Sequence, residues 1–333
     1  IIYSISNILL FTKINMTLLW FCKNYFSTLL FIFFAYLIYS HSSFYTNFVN
    51  TNVYLDILDL NVYIPHIFYT IVVLYIIFLI PFYVTYPESS KARIVIAYFF
   101  KVIRGNNDYT QREKTALLAW IVKIIFVPLM ITWLTEHVFT TINNTQHLLE
   151  NTSLISSNFL VFFNTHFFWT AFNLILFIDV LFFTLGYLIE IPKLKNTIKS
   201  VEPTLLWWFV VLLCYPPFND YTGNFISWYS TDFPQFGNMY IHISMNLFLL
   251  ILMGIYAWAS FSLWLKASNL TNRWIIKKWP YKYIRHPAYI CKNTAWMIGG
   301  IPMIIVAINN PSLSVFSVLI GLWWWAFIYY MRA

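Results

Sequence analysis

Residues 272–293, NRWIIKKWPYKYIRHPAYICKN, form the most polar stretch of a largely apolar chain and stand directly before an apolar run. Pro287 marks the start of a predicted helix, because proline is favoured at the first helical position. The free N–H groups of that helix would face the interface where Arg285 and His286 lie, which is typical of an anion site. Interfacial Trp, Tyr, Arg and Lys also anchor helix ends among lipid head groups. The residue types alone leave both interpretations open.

The helix that begins at Pro287 has one distinctive face. Tyr289, Asn293, Trp296 and Gly300 recur at spacings of three and four residues, so they share that face. Lys292 lies at its edge. The face is therefore predicted to be polar at its mouth and aromatic below.

The composition places the chain in a membrane. Of the 333 residues, 60% are hydrophobic and only 10% are charged, so several apolar runs must be solvated by lipid. The chain is rich in Phe, Tyr, Ile, Asn and Leu and contains only 8 Gly, which follows AT-rich codons and indicates an organellar gene. We therefore expect an all-α polytopic bundle, located in the mitochondrial inner membrane.

Hydropathy predicts about eight spans, each bounded by polar residues. The predicted spans are 17–40, 62–86, 116–134, 167–189, 204–216, 240–265, 288–308 and 314–331.

The loops between these spans alternate in charge. Four loops contain no Lys or Arg: 41–61, 135–166, 218–239 and 309–313. The intervening loops 87–115, 190–203 and 266–287 carry the basic residues. The positive-inside rule then predicts that both termini and the basic loops face the matrix. The net charge of +8 would meet anionic lipids there, at about 1 kcal/mol per residue. No nucleic-acid partner is expected, because the charges are spread over membrane loops.

One predicted span is too short. The segment TLLWWFVVLLCYPP, between Pro203 and Pro216-Pro217, leaves about 13 helical residues, or roughly 20 Å against about 30 Å of hydrocarbon. Its ends therefore need protein cover, since free backbone groups at membrane depth cost several kcal/mol. The segment is either a short helix packed in the bundle core or a broken helix that lines a cavity.

Asp179 lies inside a predicted span, within LILFIDVLFF. An ionisable group at that depth is a functional candidate, although a carboxyl hydrogen-bonded within the bundle is the alternative. The histidines and the three cysteines show no metal-ligand spacing, so neither a metal site nor a disulfide is expected.

The order of residues in two segments carries a family resemblance. SNLTNRWIIKKWPYKYIRHPAYICKNTAWMIGGIP, residues 268–302, resembles the signature of the isoprenylcysteine carboxyl methyltransferase-like branch of the membrane phospholipid-methyltransferase superfamily, in which NRG, GPYR and RHPxY lead into a helix. IDVLFFTLGYLIEIPKLKNTIKSVEPTLLWWFVVLLCYPPF, residues 178–218, is similar to bacterial members. We therefore predict two domains, with membrane helices of no recognised family in 1–160 and a methyltransferase-like domain in 161–333.

The resemblance implies a pocket for S-adenosylmethionine that opens on the basic face. Arg285 would bind the carboxylate of this cofactor, and Tyr289 and Trp296 would cover its adenine or its sulfonium. The nucleophile of the substrate would attack the sulfonium methyl in line, so catalysis would depend on positioning and desolvation. The implied cofactor-binding residues are Tyr283, Arg285, His286, Pro287, Tyr289, Asn293 and Trp296.

Two departures from the family pattern bear on activity. Trp274 and Trp279 replace the glycines of NRG and GPY, and their side chains are expected to overfill a tight cofactor loop. Family members also continue beyond the last helix into an acidic tail that completes the site, whereas this sequence stops at WWWAFIYYMRA. We therefore expect a separate polypeptide to abut the chain after Arg332.

These observations favour a structural or assembly subunit of an organellar respiratory complex, which would need no cofactor. The alternative is an S-adenosylmethionine-dependent membrane methyltransferase whose second half-site is supplied by another chain. A sterol-reductase-like oxidoreductase is disfavoured, because the chain is short and has no second dinucleotide feature.

Overall fold

The computed structural model describes residues 2–49, 52–55, 59–86, 90–216, 218–310 and 312–331. It consists mainly of helices and divides into two compact units. The first comprises Ile1–Asn52, Tyr63–Phe126 and Lys199–Val201. The second comprises Val53–Val62, Val127–Ile198 and Glu202–Ala333.

The helices and strands follow one another along the chain. The α-helices are α1 (Ile2–Ser40), α2 (Ser43–Val49), α3 (Ile64–Thr85), α4 (Lys91–Ile103), α5 (Gln111–Glu150), α6 (Leu154–Ser157), α7 (Phe159–Phe162), α8 (Phe168–Leu188), α9 (Leu205–Leu213), α10 (Phe218–Gly223), α11 (Met239–Leu263), α12 (Pro287–Asn309) and α13 (Val315–Met331). A π-helical turn covers Phe163–Phe167, and 3₁₀ turns cover Pro192–Leu194 and Trp264–Lys266. The short strands are β1 (Asn52–Leu55), β2 (Leu60–Tyr63), β3 (Ser200–Val201) and β4 (Thr271–Asn272).

The predicted all-α membrane bundle is confirmed, but the predicted number of spans is not. Within the described residues, six helical segments are long and apolar enough to cross a membrane: Leu18–Ser40, Ile64–Thr85, Gln111–Glu150, Phe159–Leu188, Met239–Lys266 and Pro287–Asn309. The other two predicted spans correspond to shorter helices, α9 with 9 residues and α13 with 17.

The helix α5 extends well beyond its predicted span of 116–134. It begins at a capping box, in which Thr110 N donates to Glu113 Oε2 at 2.7 Å and Glu113 N donates to Thr110 Oγ1 at 3.2 Å. It ends only at Glu150, so residues 135–150 are helical rather than part of a loop.

The first unit is held together by α1, α3, α4 and the first turns of α5. The hydroxyls of Thr28 and Tyr83 lie 2.6 Å apart, and Tyr39 Oη donates to the carbonyl of Ile124 at 2.6 Å. These bonds satisfy polar groups between apolar helices, where no water would do so.

The second unit has its core where α8, α11 and α12 pack together. This core is almost entirely aromatic or aliphatic, which is the composition that the flanking apolar sequences require. Its buried residues are Phe163, Phe168, Phe172, Leu249, Leu250, Met253 and Ala295. A smaller cluster of Ala307, Val318 and Leu322 joins α12 to α13.

The short helix α9 has one buried end and one exposed end. Cys214 and Tyr215 at its C-terminal end are buried, and Tyr329 Oη donates to the carbonyl of Cys214 at 3.1 Å. Leu205 at its N-terminal end is 87% exposed and Leu206 is 62% exposed. The described residues therefore cover the C-terminal end, as predicted. Cover of the N-terminal end stays a prediction, because the prediction allows a partner chain to supply it.

Irregular backbone lies against the middle of α12. Ser230 Oγ donates to the carbonyl of Trp296 at 2.7 Å, and Thr231 N donates to that of Gly299 at 3.3 Å. A Cβ atom on Gly299 would overlap the carbonyl oxygen of Thr231, so only glycine permits this approach. Trp296 lies about 14 Å along α12 from Pro287 at 1.5 Å per residue. Ser230 is half-buried and Thr231 is exposed, so non-helical backbone at that depth has to be covered by further protein or to face water.

Candidate functional site

A cavity of about 390 Å³ lies inside the second unit, within the size range of small-molecule pockets. Its walls come from α5, α8, α11, α12, α13, the end of α9 and the segment before α12. The lining residues that can form hydrogen bonds or carry charge include His137, Asp179, Tyr215, Tyr256, Ser260, Ser268, Asn269, Tyr281, Arg285, His286, Tyr289, Lys292, Asn293 and Tyr329.

The structure brings four of the seven predicted site residues to this cavity: Arg285, His286, Tyr289 and Asn293. Tyr283, Pro287 and Trp296 are not among the lining residues. Tyr283 is 72% exposed, because it lies in the turn that precedes α12. Pro287 is buried as the first residue of that helix.

Trp296 belongs to an aromatic cluster next to the cavity. Its ring centroid lies 4.4 Å from that of Tyr329 and 4.9 Å from that of Trp228. The sequence places Trp296 on the same face as Tyr289, but it is nearly two turns farther along α12. The two rings therefore lie on the same face of α12 but at different positions along its axis.

Two sequence strings that carry the family resemblance meet in the cavity. Cys214 and Tyr215 come from CYPP, and Ser268 and Asn269 come from SNLT. Asn269 Nδ2 donates to Tyr215 Oη at 2.9 Å, and the backbone N–H of Asn269 donates to Tyr187 Oη at 2.7 Å. The broken end of α9 therefore lines a cavity, which is one of the two alternatives that the sequence leaves open.

Asp179 is both hydrogen-bonded within the bundle and part of the cavity wall. It is 6% exposed, and it accepts hydrogen bonds from Tyr256 Oη and Ser260 Oγ on α11. It lies about 14 Å along α8 from Leu188. Its hydroxyl partners stabilise a polar group at a depth where an unpartnered one would be costly.

Lys292 lies in an aromatic cage that sequence reasoning missed. Its Nζ is 4.9 Å from the ring centroid of Trp296, 5.1 Å from that of Tyr256 and 5.9 Å from that of Tyr329. These distances fall within the range of cation–π attraction. Tyr256 also donates its hydroxyl to Asp179, so one tyrosine connects the cation to the carboxylate.

Arg273, from the string that resembles NRG, is a structural residue. It is 2% exposed, and its Nη1 donates to the carbonyls of Asn196 at 2.8 Å and Leu265 at 3.2 Å. Its Nε donates to Ser268 Oγ at 3.1 Å. Burial lowers the pKa of Arg273 to about 10, so the guanidinium stays charged at neutral pH. The residue joins two loops and is absent from the cavity wall.

Two tryptophans stand where the family that the sequence resembles has glycines, and both lie outside the cavity. Trp274 is 44% exposed and Trp279 is 50% exposed. Neither lines the cavity, so the overfilling expected from their size does not occur there.

Comparison of the chain with protein-family models, with curated proteins and with solved structures finds no match. The methyltransferase-like resemblance therefore stays a prediction from the residues. Across the part of the chain that the structure describes, no three His, Cys, Asp or Glu side chains are grouped as metal ligands.

Proposed function

We propose that this chain is a structural or assembly subunit of a multi-subunit respiratory complex in the mitochondrial inner membrane, built on a methyltransferase-like helical fold. The apolar helices support a role in a membrane. The AT-rich residue usage supports an organellar gene, and the basic loops support an orientation with both termini in the matrix.

The aromatic cage around Lys292 is the observation that favours a structural role over a methyltransferase activity. In the methyltransferase hypothesis, Trp296 is one of the rings that would cover the adenine or the cationic sulfonium of the cofactor. In this structure the ring faces an ammonium group from the same chain, at 4.9 Å. Two cations cannot share one cage without strong repulsion in a medium of low dielectric constant. The site thus fits the carboxylate of S-adenosylmethionine, through Arg285, better than it fits the sulfonium.

A subunit role requires partner chains. We propose that other membrane subunits cover part of the lipid-exposed surface. The predicted contact after Arg332 falls outside the described residues. On α13, Trp323 in the middle of the helix is 62% exposed and Tyr330 near its C-terminal end is 67% exposed, so apolar surface is available to a neighbouring helix or to lipid.

The test is purification of the tagged chain from its native membranes in a mild detergent, followed by blue native electrophoresis and mass spectrometry. We expect the chain to migrate in one large assembly together with respiratory subunits. Migration as a single chain of 39.7 kDa plus detergent would overturn the proposal.

The second candidate is an S-adenosylmethionine-dependent methyltransferase. The cavity of about 390 Å³ favours it, because Arg285, Tyr289 and Asn293 meet there as the resemblance implies. The cofactor would supply the methyl group, whereas Arg285 would hold its carboxylate and the apolar walls would exclude water. If Trp296 covers the sulfonium in this candidate, Lys292 has to leave its cage. Transfer of labelled methyl groups to membrane lipid or protein by the purified assembly, lost in Arg285→Ala, would establish it.

A further inference from the structure

The segment that leads into the cavity is strongly basic. Residues 266–293 contain seven cations and no Asp or Glu: Lys266, Arg273, Lys277, Lys278, Lys282, Arg285 and Lys292. Arg285 and Lys292 line the cavity, whereas Asp179 is the one carboxylate among its described lining residues. Lys292 also interacts electrostatically with Asp232, so the positive charge without a carboxylate partner is that of Arg285 at the mouth.

Arg285 and His286 are exposed at the mouth, and Lys292 is held deeper by its aromatic cage. No carboxylate that the structure describes lies within ion-pair distance of Arg285. A guanidinium presents five N–H donors and no acceptor. Because Arg285 is exposed, these donors are free to bind water or an anion from outside the described chain.

The surroundings of the mouth indicate a lipid rather than a small soluble anion. Tyr283 and Ile284 are 72% and 45% exposed beside Arg285, and Trp279 is 50% exposed. Lys282 Nζ lies 5.4 Å from the ring centroid of Tyr283. Exposed aromatic rings among cations are typical of the interface between lipid tails and water. A soluble anion would interact only with the basic side chains, whereas a phospholipid would also bury the exposed apolar side chains under its acyl chains.

We propose that an anionic phospholipid binds at this mouth, with its phosphate between Arg285 and His286 and an acyl chain along Tyr283 and Ile284. Arginine binds phosphate oxygens through paired N–H donors, and basic pockets between membrane helices bind anionic head groups. The lipid phosphate would neutralise the positive charge of Arg285. This site does not depend on the subunit role proposed above, because it needs only a membrane that contains anionic lipid.

The experiment titrates the purified, delipidated full-length chain in detergent with dioleoyl phosphatidylglycerol and follows the bound lipid by native mass spectrometry. Dioleoyl phosphatidylcholine and inorganic phosphate are the comparison probes. We expect phosphatidylglycerol to bind at least about tenfold more tightly than phosphatidylcholine, with millimolar phosphate displacing little of it. Equal binding of the two lipids would overturn the proposal, as would complete displacement by phosphate, which would indicate a free-anion site.

Variants locate the site. Arg285→Gln with His286→Gln is expected to abolish the preference for phosphatidylglycerol, whereas Arg285→Lys keeps the charge and should lose only about two- to threefold. Lys193→Gln is the matched control, because Lys193 is exposed on another basic loop and does not line the cavity. A preference that survives the double substitution, or that falls equally in the control, would contradict the assigned site. Both substituted side chains are exposed, and thermal unfolding of each variant checks that it folds.

Discussion

The ammonium group of Lys292 lies 4.9 Å from the ring centroid of Trp296, one turn further along the same helix. Tyr256 and Tyr329 complete the cage from two other helices, so a single cation joins α11, α12 and α13. Tyr256 extends the connection to Asp179 on α8. The cage therefore connects these helices, and it does so at the position where the family resemblance predicts a bound cofactor.

Removal of the caged cation should destabilise the second unit. We expect Lys292→Ala to lower the free energy of unfolding by about 1–3 kcal/mol, because desolvated cation–π contacts are each worth up to about 2 kcal/mol. Thermal unfolding in detergent measures the loss. Lys292→Arg should retain most of the stability, and Lys193→Ala on the exposed basic loop should change it by less than about 0.5 kcal/mol. An unchanged melting temperature for Lys292→Ala would show that the cage does not hold these helices together.

A methyl group at Gly299 should disrupt the contact between α12 and the loop at Thr231. The added Cβ would overlap the carbonyl oxygen of Thr231 and crowd Ser230 Oγ, so we expect Gly299→Ala to cost about 1–3 kcal/mol.

Gly254→Ala is the matched control for Gly299→Ala. It lies in α11 with nothing within 4 Å of the added Cβ, and it should gain roughly 0.5–1 kcal/mol from lower backbone entropy. Chemical unfolding of the two variants compares them, and equal effects would contradict the described contact.

Substitution of the buried Arg273 should introduce a pH dependence. The site lowers the pKa of arginine from 12.5 to about 10 by burial, and it should lower the pKa of a lysine below its ordinary value of about 10.4. Between the folded and unfolded pKa values the unfolded chain then binds more protons, so stability rises with pH. We expect Arg273→Lys to be less stable than the parent at pH 7 and to recover as pH approaches 10. Unfolding curves from pH 7 to 10 test this, and a gap that stays constant or widens would refute it.

The charge pattern of the loops predicts the orientation of the chain. Single cysteines at positions 195 and 277 should react with an impermeant maleimide only from the matrix side, and a cysteine at position 151 should react only from the opposite side. Lys195, Lys277 and Asn151 all lie outside the membrane-spanning core of the hydropathy profile. Labelling of position 195 or 277 from the opposite side would overturn the proposed topology.

Local sequence pattern was sufficient for the class of the fold and for part of the site. Apolar runs identify the membrane helices, and the string RHPAY identifies the cavity mouth, because Arg285, His286 and Tyr289 are neighbours in sequence as well as in space. Hydropathy also shows that the helix α9 is too short to cross lipid by itself. It missed the polar extension of α5 to Glu150, since a helix that leaves the lipid no longer needs apolar residues.

The cage of Lys292 could not be predicted in the same way. Its rings come from positions 256, 296 and 329, and nothing in the sequence states that these positions meet. The prediction that Trp296 belongs to the site fails for the same reason. Helical periodicity shows that Trp296 shares a face with Tyr289, but it does not show where along α12 the neighbouring helices close the cavity.

Binding of S-adenosylmethionine to the purified assembly tests the central claim most directly. Isothermal titration calorimetry would compare the parent with Arg285→Ala and with Lys193→Ala. If Lys292 fills the cage as a structural cation, no saturable binding should occur at up to about 1 mM cofactor, which corresponds to less than about 4 kcal/mol of binding free energy. Saturable binding that Arg285→Ala abolishes and Lys193→Ala preserves would contradict the structural role and establish a cofactor site.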